Sequence, residues 1–211
     1  MDLTCCFLAL PFLAMFTGAI GLLIWAVSPG PIFFRQERVG LLGRRFYVFK
    51  FRTMHVAAED RHRWQRGAVS LSLTRSRAEK LKYAGLIPGA WLLRATGLDE
   101  FPQIINVLRG EMSIVGPRPA FPAEFALSSS LQRQRFCNLP GLIGLSQIAA
   151  AQRTTRGELI RLEIAYAQKK TLWLDLKIMV LTIPALIRQI REERRARLSV
   201  GLVDGHSQSA R

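Results

Sequence analysis

Residues 3–27 contain no charged side chain, and the run ends at a Ser28-Pro29-Gly30-Pro31 break. At about 1.5 Å per residue, a helix of that length reaches past the roughly 30 Å hydrocarbon core of a bilayer, so residues 1–27 read as a membrane-embedded helix. A cleaved leader fits worse, because Met1-Asp2 has no basic residue and the apolar stretch is too long. Pro11 lies within it, where a proline removes one helical hydrogen bond and crowds the carbonyl four residues back. Two topologies follow: a tilted single-pass anchor, or a re-entrant segment broken at Pro11. Either leaves the Arg-rich residues 35–66 on the cytoplasmic side.

Beyond the break the hydrophobic period shortens. Residues 32–38 and 46–52 are rich in aromatic and β-branched side chains, and the Gly-containing connection 40–43 joins them as a β-hairpin. Period-two alternation puts Val48, Lys50 and Arg52 on one face and Tyr47, Phe49 and Phe51 on the other. The pattern alone favours a solvated basic face over an aromatic core; the alternative is that the two cations line a site. Residues 54–86 are charged and weakly periodic, which predicts helical pieces joined by a mobile loop. His62 reads there as a surface residue, with no second His or Cys at ligand spacing.

Phe101, Ile104, Ile105 and Leu108 restore a helical period, with Pro102 in the first turn and Gly110 just past the end. This places Asp99 and Glu100 at a helix N-terminus, where free N–H groups favour negative charge. Capping alone would account for both residues without any catalysis. A strand at 112–115 follows. Residues 172–187 are apolar but interrupted by Asp175, Lys177 and Pro184, which fits an interfacial helix with Trp173 at headgroup level, or a packed core helix. The whole reads as an α+β chain: a membrane helix over 1–27, one small mixed domain over 28–190, and a polar, frayed tail over 191–211.

Charge narrows the choice of partner. Lys+Arg 30 against Asp+Glu 15 gives a net charge of +15, which calls for nucleic acid, anionic lipid or a phosphorylated substrate. The apolar N-terminus selects anionic membrane lipids and a phosphorylated substrate, with no nucleic acid. Three cysteines, two of them in the apolar run, suggest neither a disulfide framework nor a zinc site, and fit a reducing cytoplasm. No feature speaks to oligomeric state.

The chemistry concentrates between residues 94 and 119. Prolines on both sides of Arg118, in Gly116-Pro117-Arg118-Pro119, hold its backbone extended, and its guanidinium can give a phosphate two parallel hydrogen bonds. Arg94 offers a second cation near the Asp99-Glu100 pair. Phosphate chemistry is what such a combination serves.

The motifs Ser28-Pro29-Gly30-Pro31, Phe34-Arg35-Gln36-Glu37-Arg38-Val39-Gly40, Lys50-Phe51-Arg52-Thr53-Met54, Leu98-Asp99-Glu100, Val115-Gly116-Pro117-Arg118-Pro119, Leu139-Pro140-Gly141-Leu142-Ile143-Gly144 and Leu172-Trp173-Leu174-Asp175-Leu176-Lys177-Ile178 stand in that order. Together they resemble the bacterial sugar transferase family, the monotopic polyprenyl-phosphate phosphoglycosyl transferases. The resemblance implies transfer of a sugar-1-phosphate from a nucleoside diphosphate sugar, UDP-linked, to a polyprenyl phosphate, namely undecaprenyl phosphate, with release of UMP. This is the first membrane step of exopolysaccharide, O-antigen or glycan assembly, placed at the cytoplasmic face of the bacterial inner membrane.

By the same resemblance Asp99 is the nucleophile that becomes a covalent phosphosugar ester. Glu100 helps hold magnesium (Mg2+), together with Asp99, or accepts a proton from the acceptor. Arg118 and Arg94 grip donor phosphates, Lys50 and Arg52 line the same site, and the N-terminal helix is re-entrant, broken at Pro11. The chain departs from the pattern in lacking a basic pair before Asp2, in Lys82-Tyr83-Ala84-Gly85-Leu86 ahead of Arg94, and at Ile143, where a threonine is common. Two rivals remain: a family member without catalysis, and a basic membrane-anchored adaptor, which leaves the Asp-Glu and Pro-Arg-Pro segments unexplained.

Overall fold

A computed structural model describes residues 2–55, 85–150 and 155–208. The helical pieces expected at 54–86, His62 and the departure at Lys82-Tyr83-Ala84 fall wholly or mainly on residues 56–84, outside the described residues.

Helix α1 (Asp2–Val27) includes Pro11 without ending at it. The break expected at that residue is absent. Pro11 is exposed, and a proline there costs one main-chain bond that the flanking apolar turns tolerate. Both ends of α1 are buried in the same domain. Cys6 joins Phe46, Val48, Val107 and Met112 in one core cluster, while Ile20 and Ile24 join Phe51, Ile87 and Ala90 in another. Pro11, Ala14, Met15 and Phe16 between them are exposed. Among the described residues, no helix is long and apolar enough to cross a membrane.

The hairpin forms as the alternation predicts. Strands β1 (Phe33–Val39) and β2 (Arg45–Phe51) pair antiparallel from Phe33↔Phe51 to Val39↔Arg45 around a tight turn at Leu41–Gly43. Gly43 takes φ +82, and a Cβ on it would fall 2.8 Å from the Phe125 ring, so glycine is required there twice over. Both faces of β2 are buried in part, Phe51 of the aromatic face fully so, and the face expected to be solvated is buried at Phe46 and Val48. Lys50 is partly buried too, whereas Tyr47 on the aromatic face is 56% exposed. Lys50 can face inward because a carboxylate meets it there.

After the hairpin, Met54 bridges Leu86, and the chain enters α2 (Ala90–Thr96). A 3-10 helix at Leu98–Gln103 then leads into the short α3 (Ile104–Leu108), which ends at Gly110 with φ +71. The deepest side chains of this stretch are Pro102, Gln103, Asn106 and Val107, one turn position away from the expected apolar stripe. Polar Asn106 faces inward because β2 offers it unpaired backbone groups.

Strand β3 (Ser113–Val115) pairs in parallel with β4 (Gly141–Ile143). Between them lie α4 (Pro122–Ala126), α5 (Ser130–Arg133) and a 3-10 turn at Gln134–Cys137; α6 (Leu145–Ala150), α7 (Arg156–Lys169) and α8 (Leu172–Gln208) follow. A third core cluster, of Val115, Tyr166 and Ile178, ties β3 to the two long C-terminal helices. The polar segment expected to fray from residue 191 continues α8 as far as Gln208. Helix α8 packs on the core on one side and is apolar and exposed on another. Asp175 and Ile178 are buried, while Trp173, Val180, Ile183 and Ile187 form an exposed apolar stripe.

Candidate active site

Gly97, at φ +71, turns the chain out of α2, and the 3-10 turn after it carries Asp99 and Glu100 side by side. The N-cap position is Gly97, which has no side chain to bond there, and Asp99 and Glu100 fall in the first turn. The α-helical period begins only at Ile104, after Pro102, so both acids stand ahead of α3 rather than at its cap.

Lys50, from β2, donates to Glu100 Oε1 in an ion pair whose side chains are 18% and 32% exposed. Arg94, from α2, donates through Nε to Thr53 Oγ1 at 2.9 Å, and its charge acts on Asp99. Arg118 is exposed, and its charge acts on Glu100. The structure thus gathers Asp99, Glu100, Lys50, Arg94 and Arg118. Arg52 is not among them. It is fully buried, its guanidinium donating to the carbonyl of Ser28 and, at 3.4 Å, to that of Pro29, where α1 leads into the hairpin. β2 ends at Phe51, so the alternation that pairs Arg52 with Lys50 does not extend to it.

Electrostatics separates the two acids. Burial pushes the Asp99 carboxyl up to about 6, opposed by Lys50, reinforced by the Glu100 charge and opposed again by Arg94. For Glu100 burial acts in the same upward direction, but the charge and hydrogen bond of Lys50, then Arg118 and Arg38, hold it below the usual carboxylate range. Arg38 is the cation that inspection of the sequence overlooked. The hairpin register was the available signal: Arg38 lies opposite Phe46 and Phe34 opposite Lys50, so Arg38 and Lys50 share a face.

The Pro-Arg-Pro segment is held from several sides. β3 and β4 approach so closely that a Cβ on Gly116 would lie 2.5 Å from the Leu139 carbonyl oxygen, and one on Gly141 or Gly144 would strike the Gly116 backbone. Pro117 O accepts from Gly141 N at 2.9 Å, Arg118 N donates to Glu163 Oε1 at 3.2 Å, and Pro119 O accepts from Arg38 Nη1 at 3.1 Å. Arg38 also donates to Gln36 Oε1 and lies 3.5 Å from the centroid of the Phe121 ring. Ala120 then pairs with Val39 in both directions, at 2.9 and 3.2 Å.

Asn106 fixes the other wall. Fully buried, it accepts from Phe49 N at 3.2 Å and donates to Tyr47 O at 2.8 Å and Glu111 Oε2 at 2.6 Å, binding α3 to the open edge of β2. Lys50 and Glu100 meet across that seam.

The site is an acidic pair set among four cations, Lys50, Arg94, Arg118 and Arg38, beside a clamped Pro-Arg-Pro loop. The chain belongs to the bacterial sugar transferase family, whose profile matches residues 1–189. It is 39% identical over 170 residues to a UDP-glucose:undecaprenyl-phosphate glucose-1-phosphate transferase of Caulobacter vibrioides, covering 76% of this chain and 58% of that protein. A protein of the same name from Xanthomonas campestris pv. campestris is 38% identical over 170 residues, covering 77% of this chain and 33% of the relative. The UDP-N-acetylgalactosamine-undecaprenyl-phosphate N-acetylgalactosaminephosphotransferase of Aeromonas hydrophila is 32% identical over 194 residues, covering 89% of this chain and 43% of that protein. The chain therefore spans between a third and three fifths of the length of these relatives.

Proposed function

We propose that the protein transfers a sugar-1-phosphate from a UDP-sugar to undecaprenyl phosphate at a membrane surface, with Asp99 as nucleophile. The observation that carries this reading is the partly buried Asp99 beside a Glu100 that pairs with Lys50, on the turn after Gly97, with Arg94, Arg118 and Arg38 around them. In the first half-reaction an Asp99 carboxylate oxygen attacks the phosphorus that bears the sugar. The bond to the bridging oxygen breaks, and the nucleoside monophosphate leaves with that electron pair. In the second, a phosphate oxygen of the polyprenyl acceptor attacks the same phosphorus and releases the Asp99 carboxylate, leaving a polyprenyl diphosphate sugar.

Arg118, Arg94 and Lys50 surround the diphosphate and offset the charge that moves onto the leaving group. Their fixed positions lower the entropic cost of orienting the donor. A carboxylate ringed by cations is a weak proton acceptor, so a ligand role suits Glu100 better than a base role.

Among the described residues no cluster of three or more His, Cys, Asp or Glu could hold a metal. Magnesium does not need one, since it is commonly held by one or two carboxylates with substrate phosphates and waters. Asp99 and Glu100 fit that donor set. When bound, the ion would supply neutralisation of the leaving nucleotide's charge.

Membrane attachment is supported by the exposed apolar side chains of α1, Met15, Leu22, Leu23 and Trp25 among them, and by the stripe on α8. Cys6 towards one end of α1 and Ile20 and Ile24 towards the other pack on the same domain, which supports attachment to one face of the membrane without a full crossing. The three relatives name different sugars in their donors, glucose and N-acetylgalactosamine, on the same carrier. The carrier is thus the better supported substrate.

The test is a panel of UDP-sugars with undecaprenyl phosphate and Mg2+. Nucleoside monophosphate release is expected with at least one donor and is abolished by Asp99→Ala. The raised pKa of Asp99 also suits a second reading, in which it serves as a base for direct attack by the acceptor. Donor alone separates the two: the covalent route leaves a phosphosugar on Asp99, detected by mass spectrometry of the quenched protein, and the direct route leaves none.

A further inference from the structure

Glu163 lies on α7, away from the Asp99-Glu100 pair, and takes no part in the chemistry proposed above. It is 3% exposed, and its carboxylate divides between two donors: Oε1 accepts the Arg118 main-chain N–H at 3.2 Å, and Oε2 pairs with Arg135 Nη1 at 2.5 Å. Arg135 is buried as well, its guanidinium 4.7 Å from the Phe136 ring centroid. Burying a carboxylate is favourable only where good partners meet both oxygens.

Pro117 and Pro119 have no N–H, so the tripeptide offers four main-chain hydrogen-bonding groups: three carbonyls and the Arg118 amide. Three are held by three separate elements: the Pro117 carbonyl by β4, the Arg118 amide by α7, and the Pro119 carbonyl by β1. Prolines fix φ at residues 117 and 119, and the peptide plane that carries the Arg118 N–H is held at both edges, by Gly141 N on the Pro117 carbonyl and by Glu163 on the amide.

Resting on the transfer reaction proposed above, we infer that Glu163 is a positioning residue: with its buried partner Arg135, it holds the Arg118 main chain so that the guanidinium points at the donor diphosphate. The ion pair does this from below, touching no reacting atom. A neutral acceptor could not serve equally. A glutamine at this position has one acceptor for two donors, and the charged Arg135 takes it, leaving an amide NH2 against the Arg118 N–H.

The test uses the full chain in detergent or nanodiscs. By NMR hydrogen exchange, the Arg118 amide is expected to exchange at least about tenfold faster in Glu163→Gln, while the Gly116 amide, bonded to Ile143 O, keeps its rate. In a double-mutant cycle, Glu163→Gln is expected to lower kcat/KM for the donor about tenfold, mainly through KM, in the native background and less than about twofold alongside Arg118→Ala. A merely structural carboxylate would lower activity equally in both backgrounds, and that result, or an unchanged Arg118 exchange rate, overturns the assignment. If Glu163→Gln does not fold, Glu163→Met with Arg135→Met removes both buried charges together and carries the same two measurements. If the native protein releases no nucleotide from any donor, the transfer reading fails by itself, and amide exchange still decides whether Glu163 holds Arg118.

Discussion

Asp99 is caught between burial, which favours its neutral form, and a reaction that needs it ionised. With its carboxyl raised from 3.8 to about 6, kcat/KM for the donor should fall as pH drops through about 6, with unit slope below it. Stability should run the other way. A carboxyl whose folded pKa exceeds its unfolded value contributes stability that is complete below about 4 and lost as pH rises through about 6. Asp99→Asn keeps the shape without the charge. It should be inactive, yet more stable than the native protein at pH 8 by about 2 kcal/mol, allowing for partial exposure. Thermal melting across pH checks this, and the gap should close towards pH 4. A variant no more stable at pH 8 would mean that the carboxylate is better solvated than its surroundings imply. Residues that trade stability for reactivity in this way are expected at active sites.

At the scale of elements, Asn106 is the joint between α3 and β2. Asn106→Leu keeps the volume but strips partners from Phe49 N, Tyr47 O and Glu111, and should cost about 2–4 kcal/mol in urea unfolding. The same change should weaken turnover, because it loosens the seam across which Lys50 meets Glu100; unaltered turnover in a folded variant would rule out that coupling.

Elements governed by local rules were legible in the sequence. The hairpin, β3 and the Gly110 stop fall within a residue or so of expectation, because turn glycines and period-two alternation act over a few positions. What failed depended on distant partners. Lys50 reads as solvated until Glu100, fifty positions on, pairs with it and lets its side chain be partly buried. Asn106 lies outside the apolar stripe of Phe101, Ile104, Ile105 and Leu108, and only β2, far back in the chain, supplies the partners that bury it. Arg38 and Glu163 reach Pro119 and Arg118 across 81 and 45 positions. The acidic pair and Arg118 stood out because their types and spacing are unusual in themselves. The groups that aim them have ordinary types and unusual neighbours.

For the whole molecule, the topology of α1 decides on which side of the membrane the N-terminus lies. A tag placed before Met1 should be labelled in inverted membrane vesicles and protected in right-side-out ones. Labelling only from the outer side would make α1 a spanning anchor and remove the re-entrant arrangement.

Helix α1 also supplies Cys6 to one core cluster and Ile20 and Ile24 to another, so it is structural filling as much as attachment. A soluble catalytic fragment therefore cannot be made by cutting at Ser28. Removing α1 would uncover Phe46, Val48, Val107 and Met112 on one side and Phe51, Ile87 and Ala90 on the other. Detergent-free versions would have to keep the inward residues of α1 and exchange its outward Met15, Phe16, Leu22 and Leu23 for polar ones.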